Sequence, residues 1–389
     1  MPPLLNCWPQ KPQWPLKYLS DGSVYCPHHP SPAPKMLILR PCEMTDLPAI
    51  ERIAAVSAVG ITSLPPDREK LYDKLRSSVH SFSSEVDVNG EEIYFFVLEN
   101  TATGEIVGTS GVVASAGFHD RFYSYRNEII VHASQELKVS NKIHALHLCH
   151  DLTGLSLLTS FYIDPAYEHT EWPQLLSRAR LLYMAEFPQR FADKLAAENP
   201  GLCDEEGHSP FWNAVGRRFF NMEYPQAEQL SGGRSKTFIA ELMPQYPIYV
   251  PLLPAEAQLA IGQLHPVAEL PFSILLDEGF EADTYVDIFD GGPTVEARLQ
   301  TLRTIQGNRR LQVKLSGGTE AEFDSSAAPY LLANIAADTF RATIANTCIE
   351  GNAILIAPAV AASLQLKPGD YVRAAPLGAS GHAAPGGTR

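Results

Sequence analysis

From Met36 onward the apolar residues switch repeatedly between the two-residue period of strands and the three-to-four-residue period of helices, which restricts the chain to a sheet covered by helices. Met36-Leu-Ile-Leu-Arg-Pro reads as a strand, and Thr45-Asp46 signals the start of a helix over 47–57. After the loop Gly60-Ile-Thr-Ser-Leu-Pro-Pro66, Leu71, Leu75, Val79 and Phe82 mark one face of a second helix. Strands Ile93–Glu99 and Ile106–Ala114 flank the turn Asn100-Thr-Ala-Thr-Gly104 as an antiparallel hairpin. The aromatic stretch Phe118–Tyr125 leads to a strand at Glu128–His132, and Leu155–Ile163 is another, ended by Asp164-Pro165. A helix over 174–187 turns Leu176, Ala179, Tyr183 and Phe187 to the core. Ser209-Pro210 starts one with Phe211, Val215 and Phe219 on its stripe, and Thr237–Leu242 is a strand. The expectation is an α/β fold with a mixed sheet and helices on both faces.

Beyond this alternation, Ala257, Ala260, Ile261 and Leu264 share a helical face, and a helix spans about 267–278. The strand Tyr285–Phe289 then meets the turn Asp290-Gly-Gly-Pro293. From about 308 the texture changes to short β-type runs such as Leu311–Leu315 and Ala353–Ile356, with a turn at Lys367-Pro-Gly-Asp370. This predicts a small all-β appendage over 301–375. Residues 1–35 hold nine prolines and no period, so a disordered extension is expected there, with a Gly-Ala-Pro tail at 376–389. The main domain then spans 36–300.

Composition narrows the partners. A net charge of −14 argues against nucleic acid, which needs clustered Lys and Arg. No apolar run reaches the eighteen or so residues that cross a bilayer. The six cysteines are scattered without a close pair, as in a reducing compartment, so cytoplasm is expected. No metal is expected. Cys26, His28 and His29 lack a ligand spacing, and so do His119, His132, His144, His147 and His150. Gly232-Gly233 before Arg234 reads as a hairpin turn.

Several ordered strings resemble the arginine N-succinyltransferase family: Gly60-Ile-Thr-Ser-Leu-Pro65, Val131-His-Ala-Ser134, His150-Asp-Leu-Thr-Gly154, Ser209-Pro-Phe-Trp212, Phe238-Ile-Ala-Glu-Leu-Met-Pro244, Gly262-Gln-Leu-His-Pro266 and Val286-Asp-Ile-Phe-Asp-Gly-Gly-Pro293. The likeness is dense over 36–300 and weaker beyond. Asn141-Lys-Ile-His144, Cys149-His150 and Tyr249-Val-Pro-Leu-Leu253 resemble its α-subunit branch, whose enzyme is described as acting on arginine and ornithine and as built from two related chains. The resemblance implies an acyl-CoA N-acyltransferase (GNAT-like) fold, whose element order matches. It also implies transfer of succinyl from succinyl-CoA to the α-amino group of L-arginine, with succinyl-CoA as co-substrate and no other cofactor. The partner would be a paralogous β chain or further copies of this chain. L-ornithine remains an alternative acceptor, since it presents the same α-amino group and a distal cation.

Such a transfer requires an amine that loses its proton, a polarised thioester carbonyl and a thiolate that gains a proton. His265 matches the residue assigned as proton donor in the family, and imidazole titrates in the useful range. A histidine there also reads as a helix-end residue bonding the last carbonyls. Phe161, on the strand Leu155–Ile163, matches the succinyl-CoA contact, although that run also reads as an ordinary buried strand. One stretch departs from the pattern. Acyltransferases of this fold carry a glycine-rich loop that holds pyrophosphate at a helix N-terminus. Here the stretch is Glu168-His-Thr-Glu-Trp-Pro-Gln174, with two acids, a proline and no glycine. A non-catalytic subunit that depends on a paralogous chain is therefore a competing expectation. Asp287, Asp290 and Glu128 could pair with a guanidinium, and Arg121 or Arg126 with the succinyl carboxylate, although each reads more readily as a structural or surface charge.

Overall fold

The computed structural model describes residues 36–57, 64–119, 121–204, 206–231, 241–317 and 327–378, with backbone alone at 228–231. The expectations for 1–35, for the Gly232-Gly233 turn, for most of the Thr237–Leu242 strand and for the last residues of the tail lie outside these.

The first strand, β1 (Leu37–Pro41), is followed by α1 (Leu47–Val56) and α2 (Arg68–Ser83). Asp67 caps α2, its carboxylate accepting the amides of Glu69 at 3.0 Å and Lys70 at 3.2 Å. The antiparallel strands β2 (Ile93–Asn100) and β3 (Glu105–Val113) come next, joined by the expected turn. Strand β2 shows how the sheet is covered. Tyr94, Phe96 and Leu98 point into one core cluster, Phe95 and Val97 into another, and all five are fully buried. The cluster around Phe95 is built with Ile50 and Ile53 of α1 and Leu71 and Leu75 of α2. The cluster around Phe96 is built on α3 (Trp172–Glu186). Helices cover both faces of this strand, so its apolar run is continuous rather than alternating. Tyr183 of α3 centres that core, its ring 5.1 Å from Phe340 and 5.5 Å from Phe82.

The remaining strands are β4 (Ser124–Ser134), β5 (Val139–Cys149), β6 (Ser156–Ile163), β7 (Lys194–Glu198), β8 (Ile248–Tyr249), β9 (Glu281–Val286) and β10 (Pro293–Arg298). From β1 they run β1-β2-β3-β6-β7-β10-β9-β4-β5-β8, with β6 and β7 parallel and every other neighbour antiparallel. The sheet is mixed, as expected.

In the C-terminal part, β11 (Arg309–Leu315), β12 (Ala328–Asn334), β13 (Ala342–Glu350), β14 (Ala353–Ile356) and β15 (Tyr371–Pro376) close a ring, because β12 pairs with both β15 and β13. It is not purely β. Pro358-Ala-Val-Ala-Ala-Ser363 forms a helix, with proline at its first turn and a run of good helix formers behind it. Leu39 of β1 faces Ala342 of β13, which carries the main sheet into this ring.

A buried ion pair ties the two parts together. Arg178 of α3 meets Glu278 at 2.7 Å and donates to the carbonyls of Leu377 and Pro376, while Glu278 accepts the amide of Thr304 at 2.8 Å. Two expected core positions differ. Val79 is exposed, and Phe219 is half exposed while Phe220 is buried. The helix from Pro210 breaks at Val215 and restarts at Arg217, which rotates the stripe onto the next residue.

Candidate active site

Strands β6 and β7 run together only at Ser156↔Leu195 and Leu157↔Ala196. Beyond that β6 stays with β3 as far as Ile163↔Gly108, while β7 stays with β10 as far as Glu198↔Thr294. The two parallel strands therefore part within the sheet and leave a wedge between them. Phe161 lies on the parted half of β6, partly buried against the α3 core.

A bulge shapes this half of β6. Thr159 faces Gly111 and Tyr162 faces Thr109, so Ser160 and Phe161 together stand opposite Ser110 alone. Ser160 takes φ = 56°, a conformation that costs a residue with a Cβ. Two hydrogen bonds hold it: its carbonyl accepts the Thr109 hydroxyl at 2.9 Å, and its hydroxyl accepts the Lys74 ammonium at 2.7 Å. Gly111, opposite Thr159, leaves room that a Cβ would fill, 2.9 Å from the Thr159 hydroxyl. Arg180 of α3 closes the gap from the helix side, donating to Gly111 O at 3.1 Å. It is fully buried, and burial pushes its pKa down to about 9.

His265 belongs to the other rim. Its amide donates to Pro200 O at 2.8 Å, two residues past the end of β7, and Leu264 bridges Gly201. The ring caps the short helix Pro266–Ala268, with Nδ1 accepting the Val267 amide at 3.3 Å. It thus bonds an N–H at a helix start, not carbonyls at a helix end. In the neutral ring the proton then sits on Nε2, and burial holds the imidazole below its ordinary pKa.

The backbone under His265 is laced to the β9–β10 turn. Asp290 accepts the amides of Gly201 and Gly292, each at 2.8 Å, and the Tyr224 hydroxyl at 3.2 Å. Asp287 accepts the amides of Phe289 and Asp290, and Gly291 O holds the Gly262 amide at 2.8 Å. A Cβ on Gly292 would sit 2.2 Å from Asn199 O, so only glycine allows this approach. Both acids are buried and committed to this backbone, which removes them as guanidinium ligands. Burial and the neighbouring Asp287 push Asp290 up to about 7.

Of the remaining candidates, Arg126 and Glu128 are occupied too. Arg126 bonds Glu128 and Asp151, each at 2.6 Å, and Glu128 also meets His147 at 3.4 Å. Arg121 is an exposed loop residue. His119, His132, His144, His147 and His150, all among the described residues, share no group of three ligand-type side chains. Among the described residues one group, Asp204, Glu206 and His208, brings ligand-type atoms within 4.8 Å, and all three are exposed. At the start of α3 the amides are already used. Trp172 donates to the Thr170 hydroxyl, Pro173 has no N–H, and Gln174 donates to Glu171 O. No helix of the described residues is long and apolar enough to cross a membrane.

Comparison with known proteins bears on all of this. Residues 37–304 match the family model described as arginine N-succinyltransferase beta subunit, and 309–376 match the C-terminal domain of the same family. The arginine N-succinyltransferase subunit alpha of Pseudomonas aeruginosa is 55% identical over 79% of this chain and 90% of its own length. Subunit beta of that organism is 40% identical over 88% of this chain and 99% of its own. The solved structure of arginine/ornithine succinyltransferase subunit AI from Pseudomonas aeruginosa superposes with a TM-score of 0.80 at 48% identity, covering 89% of this chain and all of that one. The wedge, its bulge and the laced loop are thus features of a member of the arginine N-succinyltransferase family, nearer in sequence to subunit alpha than to subunit beta.

Proposed function

We propose that this chain is an arginine N-succinyltransferase subunit of the alpha type, transferring succinyl from succinyl-CoA to the α-amino group of L-arginine. The observation that carries the reading is the wedge between β6 and β7 in a chain of this family, with Phe161 on one rim and His265 tied to the other. A bulged strand and a parallel pair that parts also support assigning the fold to the acyl-CoA N-acyltransferase type. The ring of strands beyond residue 300 is then its appendage. The scattered cysteines suit the cytoplasm.

In this reading the thioester lies along β6 at Phe161. The ammonium of arginine gives one proton to solvent, and its nitrogen attacks the thioester carbonyl. As the C–N bond forms and the C–S bond breaks, the second proton ends on the CoA sulfur. His265 presents Nε2–H to that sulfur and stabilises the thiolate until it is protonated. No metal or redox group is required by these steps. The test is direct: CoA release and formation of N2-succinylarginine from L-arginine and succinyl-CoA, with L-ornithine in parallel. Failure with both amines overturns the reading, and faster turnover of ornithine reassigns the acceptor.

One observation favours a second reading, that of a subunit needing a paralogous beta chain. The start of α3 lacks open amides and carries Glu168 and Glu171 where an anion would sit. Assaying the chain alone and with such a partner separates the two.

A further inference from the structure

We propose that Lys74 reads the distal carboxylate of the succinyl donor, and so sets the preference for succinyl-CoA over thioesters that end in a methyl group. The proposal rests on the thioester lying along β6 at Phe161.

Lys74 stands on α2, and its ammonium passes 4.9 Å from the centre of the Phe95 ring to reach the bulge of β6. There it lies 2.7 Å from the hydroxyl of Ser160, the residue next to Phe161. The carboxylate carbon of a succinyl group is three C–C bonds from the thioester carbonyl, a span of roughly 4 Å. A thioester carbonyl on the β6 backbone at Phe161, with its acyl chain turned to the α2 face where Ser160 and Phe95 lie, brings the carboxylate within range of this ammonium.

Charge gives the reason for a cation here. The chain carries −14 overall, and an anion taken into a half-buried cleft needs an opposite charge beside it. Among the described residues, Lys74 and Arg180 approach the bulge. Arg180 is sealed, and its guanidinium is spent on Ser177 O, the Ser177 hydroxyl and Gly111 O. Lys74 is half-buried as a residue, and its ammonium end is enclosed at the bulge beside Ser160. Burial pushes its pKa down to about 8, which leaves the ammonium mostly charged at neutral pH and favours a carboxylate partner. Ser160 serves the same end. A glycine would take φ = 56° more easily, but it would not hold the ammonium in place.

The test compares succinyl-CoA with butyryl-CoA, which replaces the carboxylate by a methyl, using L-arginine as acceptor in the active enzyme. For Lys74→Met the ratio of kcat/KM for succinyl-CoA to that for butyryl-CoA should fall by about 10- to 100-fold, the worth of a charge-assisted hydrogen bond. Ser160→Ala should lower the ratio by less than Lys74→Met does, because the charge remains while its anchor is lost. An equal loss on both donors in Lys74→Met would mean that Lys74 only supports the bulge, and the proposal would be overturned. An unchanged ratio would overturn it as well. Should the Met variant not fold, Lys74→Gln must lose the preference and Lys74→Arg must keep it. Phe161→Ala separates the two failures. Unchanged KM values for both donors there overturn the placement of the thioester. A raised KM there, with an unchanged ratio in the Lys74 variant, overturns the role of Lys74 alone.

Discussion

Asp290 accepts the Gly201 amide at 2.8 Å, and this bond fixes the strip of backbone whose neighbouring carbonyl, Pro200 O, holds the amide of His265. The carboxylate works against its surroundings to do so. Burial and Asp287 disfavour its charge, while the Gly201 and Gly292 amides and the Tyr224 hydroxyl favour it, and burial wins. The result is a carboxyl pushed up from 3.8 to about 7, within the physiological range, in the turn that supports His265.

That raised value has a sign. The native state binds the Asp290 proton more tightly than the unfolded chain does. Its contribution to stability is therefore fully present below about 3.8 and is lost as pH rises through about 7. Urea unfolding at pH 5 and pH 8 should show a loss of stability in the wild type that is smaller in Asp290→Asn. An identical pH difference in both proteins would remove Asp290 as its source.

Replacing His265 by alanine should lower kcat by a factor of about 10² to 10⁴. Stability should change little, because the ring makes one long hydrogen bond from a half-buried position. The neutral ring is the form that accepts the Val267 amide and presents Nε2–H. Wild-type kcat should accordingly fall as pH drops through a value below 6.5, the direction in which burial moves this imidazole. The limb should be absent from the residual activity of the alanine variant. Near-normal turnover in that variant would reduce His265 to a cap.

Glu278 is predicted to matter for stability and not for chemistry. It is fully buried against Arg178, and it accepts both the amide and the hydroxyl of Thr304. Glu278→Ala leaves the Arg178 guanidinium buried without this partner, at a cost of about 3–5 kcal/mol. Arg178→Met combined with Glu278→Leu should recover most of that loss in denaturant unfolding, since an apolar pair carries no desolvation penalty. A double variant as unstable as the single one would show that the ion pair is itself strongly favourable.

How much was legible in the sequence follows from which forces act locally. Strand β2 and the helix around Leu176, Ala179 and Tyr183 were plain because long apolar runs leave few alternatives. Strand β5 was hidden. Asn141, Lys142 and His144 face solvent along its outer half, and pairing with β4 rather than burial makes it a strand. Strand β7 was hidden because Leu195-Ala196-Ala197 is too short to show a period. His265 and Phe161 were reached only through the family likeness, since neither residue carries a local signal. Arg180, Lys74 and the support given by Asp290 escaped for a different reason. Their partners, Gly111, Ser160 and Gly201, lie 69, 86 and 89 residues away. The one clue in the sequence is the density of glycine in Asp290-Gly-Gly-Pro293, which marks a close backbone approach without saying to what.

The start of α3 gives the last prediction. A helix N-terminus binds phosphate through amides that have no other acceptor, helped by the positive end of the helix dipole. Here Trp172 donates to the Thr170 hydroxyl, Pro173 has nothing to donate, and Gln174 closes back on Glu171 O. Glu168 and Glu171 add negative charge at the same end. The pyrophosphate of CoA should therefore gain little from this helix, and the isolated chain should bind succinyl-CoA weakly by calorimetric titration. Glu171→Gly together with Pro173→Gly restores an amide and removes one acid, so it should tighten binding. The gain should shrink at high salt, because much of it is electrostatic. Tight stoichiometric binding by the unaltered chain would show that another surface holds the phosphates. The dependence on a paralogous beta chain would then lose the observation that favours it.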